Sequence, residues 1–469
     1  MTGTLCERLF HLKEKGTTVK TECFAGITTF VTMAYILAVN PEMLSATGMD
    51  KGAVFTATAL AACAATLLMA LLSNYPFALA PGMGLNAYFA YTVVIKQGYS
   101  WQMALAAVFL EGIIFVLLSL TPVRESIFNA IPRPLKLGVT WGIGLFILFI
   151  GLQNAHLIVA DSSTMVAIYP FRDAILSGEM RSVGVGAVLA FAGILLTGIL
   201  LIRKVPGALL IGIGGVWGAA VVLELLGVYV PNPELAMYSV LPDFSAGLAV
   251  PSLAPTLMKM DFSGVLTLNF LTVTLSFLFV DVFDTLGGVI GMASQGKMLD
   301  ESGRLPGIRG VLLSDALGTS IGAVLGTSIG AVLGTSTTTT FAESAAGIAA
   351  GGKTGLTSVV TAALFALSLF LSPLFLAVPG FATAPALVIV GLMMLSSIRA
   401  LEPTDWRESI PAYLTMAAMP FCYSISEGIA AGVLAYVVIH LFTGKKEEKK
   451  LNPVLLVLAV VFVCKYIWL

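Results

Sequence analysis

Residues 334–347, GTSTTTTFAESAAG, decide the fold. One serine and five threonines interrupt an otherwise apolar region. The apolar segment that follows, 341–350, is too short to cross a membrane as a helix. Ten helical residues rise about 15 Å, half of the roughly 30 Å hydrocarbon core. A second such interruption lies far upstream in FALAPGMGLNAYFAY, residues 77–91, where FALAPG precedes another short apolar segment, 82–95. Irregular backbone at membrane depth is tolerated only where it is buried in protein or lines a cavity.

The composition puts both interruptions inside a membrane. Of 469 residues, 58% are hydrophobic and 11% charged, against about 25% charged in soluble chains. A soluble enzyme, a disordered chain and an ordinary nucleic-acid binder are excluded. Five cysteines and three histidines are too scattered for disulfides or a metal site. The polar, basic N-terminus has no apolar core of a cleavable signal. Fourteen apolar segments precede the KKEEKK run at 445–450, and a fifteenth follows at 452–468. With the N-terminus cytoplasmic and fourteen spans, nineteen basic residues fall inside and five outside, Lys465 being left in the last segment. That bias supports this topology. The last segment is read as either an extra span or an interfacial helix.

The two interruptions are each third in a set of seven spans, and Pro132 and Pro379 precede the fifth and the twelfth. Seven is odd, so the second copy inserts upside down. Inverted repeats with paired broken helices point to a secondary transporter with its site near the midplane. The plainer alternative is two re-entrant loops of a channel.

Carboxylates within spans are costly and therefore informative. Asp281 and Asp284 lie in FLFVDVFDTLGG, with Thr285 on the same helical face. Glu343 begins the short tenth element, where half-helix N–H groups face outward. Asn86 takes the matching place in the third and offers both a donor and an acceptor. The cluster contains no Arg or Lys, which disfavours an anionic substrate. It suits a flat, neutral heterocycle rich in N–H and C=O groups. A carboxylate in a low-dielectric site favours its neutral form, which makes Asp281 and Glu343 candidates for proton coupling. Glu427 starts a span and is expected at the interface. Glu111 is expected to make an interhelical bond. Residues 347–354, GIAAGGKT, match a nucleotide P-loop by letters alone, since no strand and no soluble domain accompany them.

Four stretches carry a resemblance: 21–44 (TECFAGITTFVTMAYILAVNPEML), 78–91, 279–288 (FVDVFDTLGG) and 333–357. They resemble the AzgA-like branch of the nucleobase:cation symporter-2 (xanthine/uracil permease) family, across residues 5–468. The wording is similar to hypoxanthine/guanine permeases. The resemblance implies an all-α polytopic membrane protein of fourteen segments, with short strands in segments 3 and 10. It implies a core domain of spans 1–4 (24–121) and 8–11 (263–377). A gate domain would comprise spans 5–7 (136–230) and 12–14 (384–443). The flanks are a cytoplasmic N-terminus (1–23) and a basic loop with the extra apolar segment (444–469). Asn86, Asp281, Asp284 and Glu343 match the substrate-site positions, with Ala34 and Tyr35 nearby, and no cofactor is implied.

The function so indicated is import of purine nucleobases by proton symport at the cell membrane, hypoxanthine and guanine ahead of adenine. The same fold carrying xanthine or uracil, or exchanging anions, stays open, as does a homodimer. One departure from the family pattern is a doubled GTSIGAVL at 318–333, just before the threonine run. The stretch from Gly334 onward is expected to hold the functional strand, because it alone leads into Glu343.

Overall fold

The computed structural model describes residues 3–119, 132–281 apart from 236, 246, 248, 266, 268 and 279, and then 329–395, 398, 405–443 and 452–468. Asp284, Thr285 and most of the GTSIGAVL repeat lie outside these residues.

The chain is helical with two small sheets. Seven of its described helices are long and apolar enough to cross a bilayer. The first span bends between α1 (Val19–Met33) and α2 (Ile36–Ser45), and α3 (Lys51–Ser73) returns beside them. Helix α1 starts on Thr18, whose hydroxyl accepts from the Thr21 N–H at 3.2 Å. Helix α3 starts on Asp50, which accepts from the Ala53 N–H at 2.7 Å. Both are side-chain caps of the usual kind.

The third segment is strand β1 (Leu79–Pro81), helix α4 (Met83–Ala87) and a π-helical turn, Tyr88–Lys96. Next come α5 (Trp101–Ser119), α6 (Arg133–Asn154), α7 (Val183–Ile202), α8 (Ala208–Leu225) and α9 (Asn269–Leu278). The short α10 (Ile329–Leu333) ends at Gly334, whose φ of +92° turns the chain. A Cβ there would lie 2.2 Å from Thr256 Cβ, so glycine is required. Strand β4 (Thr338–Thr340) and helix α11 (Ser344–Ala349) form the second strand-and-short-helix element, in the stretch that follows Gly334. Then come α12 (Gly355–Ser368), α13 (Gly380–Met394), α14 (Trp406–Phe421), α15 (Ile425–Thr443) and α16 (Pro453–Trp468).

Strands β1 and β4 pair antiparallel, Leu79 opposite Thr340 and Pro81 opposite Thr338. This is the pairing expected of two inverted copies meeting at the centre. A two-stranded sheet leaves open edges, which are costly in an apolar interior. Hydroxyls close them. Thr66 Oγ1 accepts from Leu79 N at 2.9 Å and donates to Leu79 O at 3.0 Å. Ser344 Oγ accepts from Ala78 N at 3.0 Å.

The helices pack in two groups. Helix α12 lies on α1 and α3, and α11 on α1. Separately, α6 packs on α13 and α14, α7 on α8 and α13, and α15 on α14. Helix α7 exposes Val188, Phe191, Leu195 and Ile199 along one stripe while burying Ala187, Ala190 and Thr197 on the other. The apolar outer stripe is the side suited to lipid.

One feature differs from the sequence reading: a second sheet, β2 (Ile158–Asp161) with β3 (Met165–Ile168), forms in the loop expected between spans. Asp161 organises its turn, accepting from the N–H and hydroxyl of both Ser163 and Thr164. Those donors hold its carboxyl well below the usual range. The C-terminal segment, left open between span and interfacial helix, runs antiparallel along α15. Leu455, Ala459 and Phe462 are buried, and the Tyr466 hydroxyl donates to Glu427 in the first turn of α15.

Candidate functional site

The threonine run explains itself through its partners. Thr335 to Thr340 are all buried, and successive side chains reach different spans. Asn40 Nδ2 of α2 donates to Thr335 Oγ1 at 2.8 Å and to Thr58 Oγ1 of α3 at 2.7 Å. The Ser336 hydroxyl donates to Asn86 Oδ1. The Thr337 hydroxyl donates to Glu111 Oε2 at 3.2 Å. The bond expected of Glu111 therefore runs to the non-helical threonine stretch and not to another helix. A polar stretch replaces an apolar helix here because the hydroxyls of Thr335, Ser336 and Thr337 fasten neighbouring elements at the point where the helical ladder is broken.

Glu343 sits at the cap position of α11, one residue before the first helical residue. Its Oε1 accepts from the Tyr35 hydroxyl at 2.6 Å. Thr32 Oγ1 donates to the Glu343 carbonyl at 3.3 Å. Glu343 is only partly buried as a residue and the adjacent Ala342 is exposed, which leaves this helix end accessible. Tyr35 follows Ala34 at the bend of the first span, and its ring lies 6.4 Å from that of Phe341. Among the described residues no cation pairs with Glu343; the ion pairs, such as Lys51–Glu42 at 2.6 Å, lie elsewhere. Asn86 is fully buried, its amide lying 3.4 Å from the Pro81 carbonyl. Asp281 is fully buried on the continuation of α9. Four residues earlier, Phe277 packs edge-on against Tyr88 at 4.7 Å and near Phe89 at 6.4 Å. That packing ties the Asp281 segment to the span that carries Asn86.

One buried carboxylate was not foreseen. Glu22 of α1 is fully buried. It accepts from Lys353 N at 3.0 Å, Thr354 N at 3.2 Å and Thr357 Oγ1 at 2.6 Å. The amides of the P-loop-like stretch therefore hold a carboxylate of the chain's own first span, at the N-terminus of α12. The signal available in the sequence was a glutamate in the first turn of an apolar span, four residues after its Thr18 cap.

A family model described as the permease family (Xan_ur_permease) matches residues 20–431. The chain belongs to this family. A putative permease of Methanocaldococcus jannaschii is 45% identical over 99% of this chain and 98% of its own. A guanine/hypoxanthine permease of Bacillus subtilis is 42% identical over 97% and 98%. An adenine permease of Escherichia coli is 39% identical over 99% and 96%. Among solved structures, the transmembrane domain of the cyanobacterial bicarbonate transporter BicA superposes with a TM-score of 0.60 at 15% identity, over 88% of this chain and 97% of that one. The structure of SLC26A9 does so at 0.64 and 11%, over 95% and 70%. At such identities the likeness is one of fold. The permease is a multi-pass membrane transporter and not an enzyme.

Proposed function

We propose that this permease imports purine nucleobases by proton symport across the cell membrane, with its N-terminus cytoplasmic. Hypoxanthine and guanine are the favoured substrates. The observation that carries the reading is Glu343: a partly accessible carboxylate that no cation among the described residues pairs with, flanked by Tyr35 and by the threonine stretch tied to Asn86. An acceptor-rich site of this kind takes ring N–H groups, and 6-oxopurines present N1–H where adenine presents a bare acceptor. The relatives named for guanine/hypoxanthine support it. Anion exchange, the business of the bicarbonate transporter with a similar fold, would call for a cation at the site.

In this reading Asn86, Asp281, Asp284, Thr285, Glu343 and Ala34 form the substrate site, and Asp281 or Glu343 carries the proton. The first packing group is the core (24–121 and 263–377). The second is the gate (136–230 and 384–443), and transport moves one against the other. Adenine is the second reading, favoured by the adenine permeases among the relatives and by the donors that Tyr35 and Asn86 can turn toward its bare N1.

Uptake of labelled hypoxanthine, guanine, adenine, xanthine and uracil in a permease-null strain tests the substrate, and a protonophore tests the coupling. Accumulation of hypoxanthine and guanine that collapses with the gradient is expected. Adenine displacing hypoxanthine at equal concentration would end the preference, and ATP-driven uptake into proteoliposomes without an ion gradient would end the symport.

A further inference from the structure

A cavity of about 320 Å³, whose lining does not include Glu343, opens on the side of the molecule that the proposed topology places outside. It runs from the exposed Gln97 down to the fully buried Tyr88, with Tyr99, Asn269, Ser426 and Glu427 on its walls. Its size is that of a small-molecule pocket. Its lining is unusual for a region packed between apolar spans: two amides, several hydroxyls, two tyrosine rings and one carboxylate. At the floor the Tyr88 hydroxyl lies beside Ser276 and Ser426.

Position sharpens the chemistry. Thr272 and Val273 also line the cavity. Phe277 and then Asp281 follow at four-residue intervals from Val273, on the same face of α9 and its continuation. The cavity therefore stands about 12 Å above the level of Asp281 along one helix face. The edge-on pair of Phe277 and Tyr88, 4.7 Å apart, fills the step between them. Glu427 is held at its backbone, where the N–H lies 3.4 Å from Ser424 Oγ, and at its carboxylate, which accepts from Tyr466 of the C-terminal helix α16.

We infer that this cavity is a second binding site for the nucleobase, an outer station occupied before the base passes the Phe277–Tyr88 pair. The inference rests on the functional reading above. Glu427 takes a ring N–H. Asn269 and Gln97 match the remaining donor and acceptor edges of a neutral heterocycle, and the rings of Tyr88 and Tyr99 offer faces for stacking. Tyr466 is a positioning residue that acts through Glu427, which gives α16 a role in uptake.

The test is equilibrium binding of tritiated hypoxanthine to the purified full chain. Wild type is expected to bind in two classes of site, and Glu343→Ala to keep only a weaker one. On that background, Glu427→Gln and Asn269→Ala should each weaken the remaining class about tenfold, and Tyr466→Phe about threefold, as expected for losing one hydrogen bond. Matched thermal melting identifies any variant that fails to fold, and Asn269→Ala stands in for Glu427→Gln in that case. Binding by wild type with none by Glu343→Ala overturns the outer station alone. So does residual binding indifferent to both wall substitutions. A wild-type chain that binds no hypoxanthine, guanine or adenine overturns the functional reading and the station with it.

Discussion

Glu22 and Glu343 stand at the N-termini of two successive helices of the second half, α12 and α11, and both junctions involve the first span. Their surroundings differ. Glu22 is closed off and takes two backbone N–H groups and a hydroxyl. Glu343 is only partly buried as a residue and receives one side-chain donor from the described residues, the Tyr35 hydroxyl. A carboxylate whose acceptor capacity is filled by its own chain acts as a fastener. One with capacity to spare, at an accessible helix end, is available to a ligand. The same residue type at the same kind of helix end thus divides into structure and function by the number of donors the fold supplies.

That division can be broken by substitution. The largest effect should come from Glu343→Ala and Asp281→Ala. Each is expected to cut uptake of labelled hypoxanthine roughly a hundredfold, the cost of losing a hydrogen bond to a charged group. Membrane expression, read on an immunoblot, should hold. Near-normal uptake by Glu343→Ala would make it a second fastener. Glu22→Ala should do the reverse. Leaving two amides and a hydroxyl buried without their acceptor should cost about 3 kcal/mol of stability, seen as a lowered melting temperature in detergent. Uptake per folded molecule should stay within about twofold of wild type.

Tyr35→Phe sharpens the contrast, because it removes the hydroxyl that donates to Glu343 and keeps the ring. A fall of about tenfold in apparent hypoxanthine affinity at unchanged melting temperature is expected. Unchanged affinity would show that Glu343 is positioned by α11 alone. The smallest effect belongs to Lys353→Ala. Glu22 uses its backbone N–H, while its side chain reaches only the Gly16 carbonyl at 3.4 Å. Uptake within about twofold of wild type is expected, and a large loss would reopen the P-loop-like stretch as a working element.

Much of this was legible in the residues. Interrupted apolar segments announced the two strand-and-half-helix elements, and Asn86 and Glu343 stood out because polar groups at that depth are costly. Glu22 did not stand out. A glutamate four residues after a capping threonine looks like an ordinary helix entry, and its partners lie 331 residues and more along the chain. The β2–β3 hairpin was hidden because four-residue strands give little periodic signal and depend on a turn lock at Asp161. Composition could not decide the place of α16, since a basic run precedes spans and interfacial helices alike. The contact of Tyr466 with Glu427 sets α16 beside α15. The roles of Asp284, Thr285 and the GTSIGAVL repeat lie outside the described residues and rest on the sequence.

The pairing of Leu79 with Thr340 also bears on how the chain is made. About 260 residues separate the two strands, so at ordinary synthesis rates the first waits roughly 13–50 s for the second to leave the ribosome. For that interval the backbone of the third segment, Pro81 included, has no ladder to join. The nascent first half must be kept from settling by water, lipid or the insertion machinery until its inverted counterpart arrives. The centre of this carrier is therefore among the last parts to be completed, and a chain halted before Thr340 has no means of finishing it.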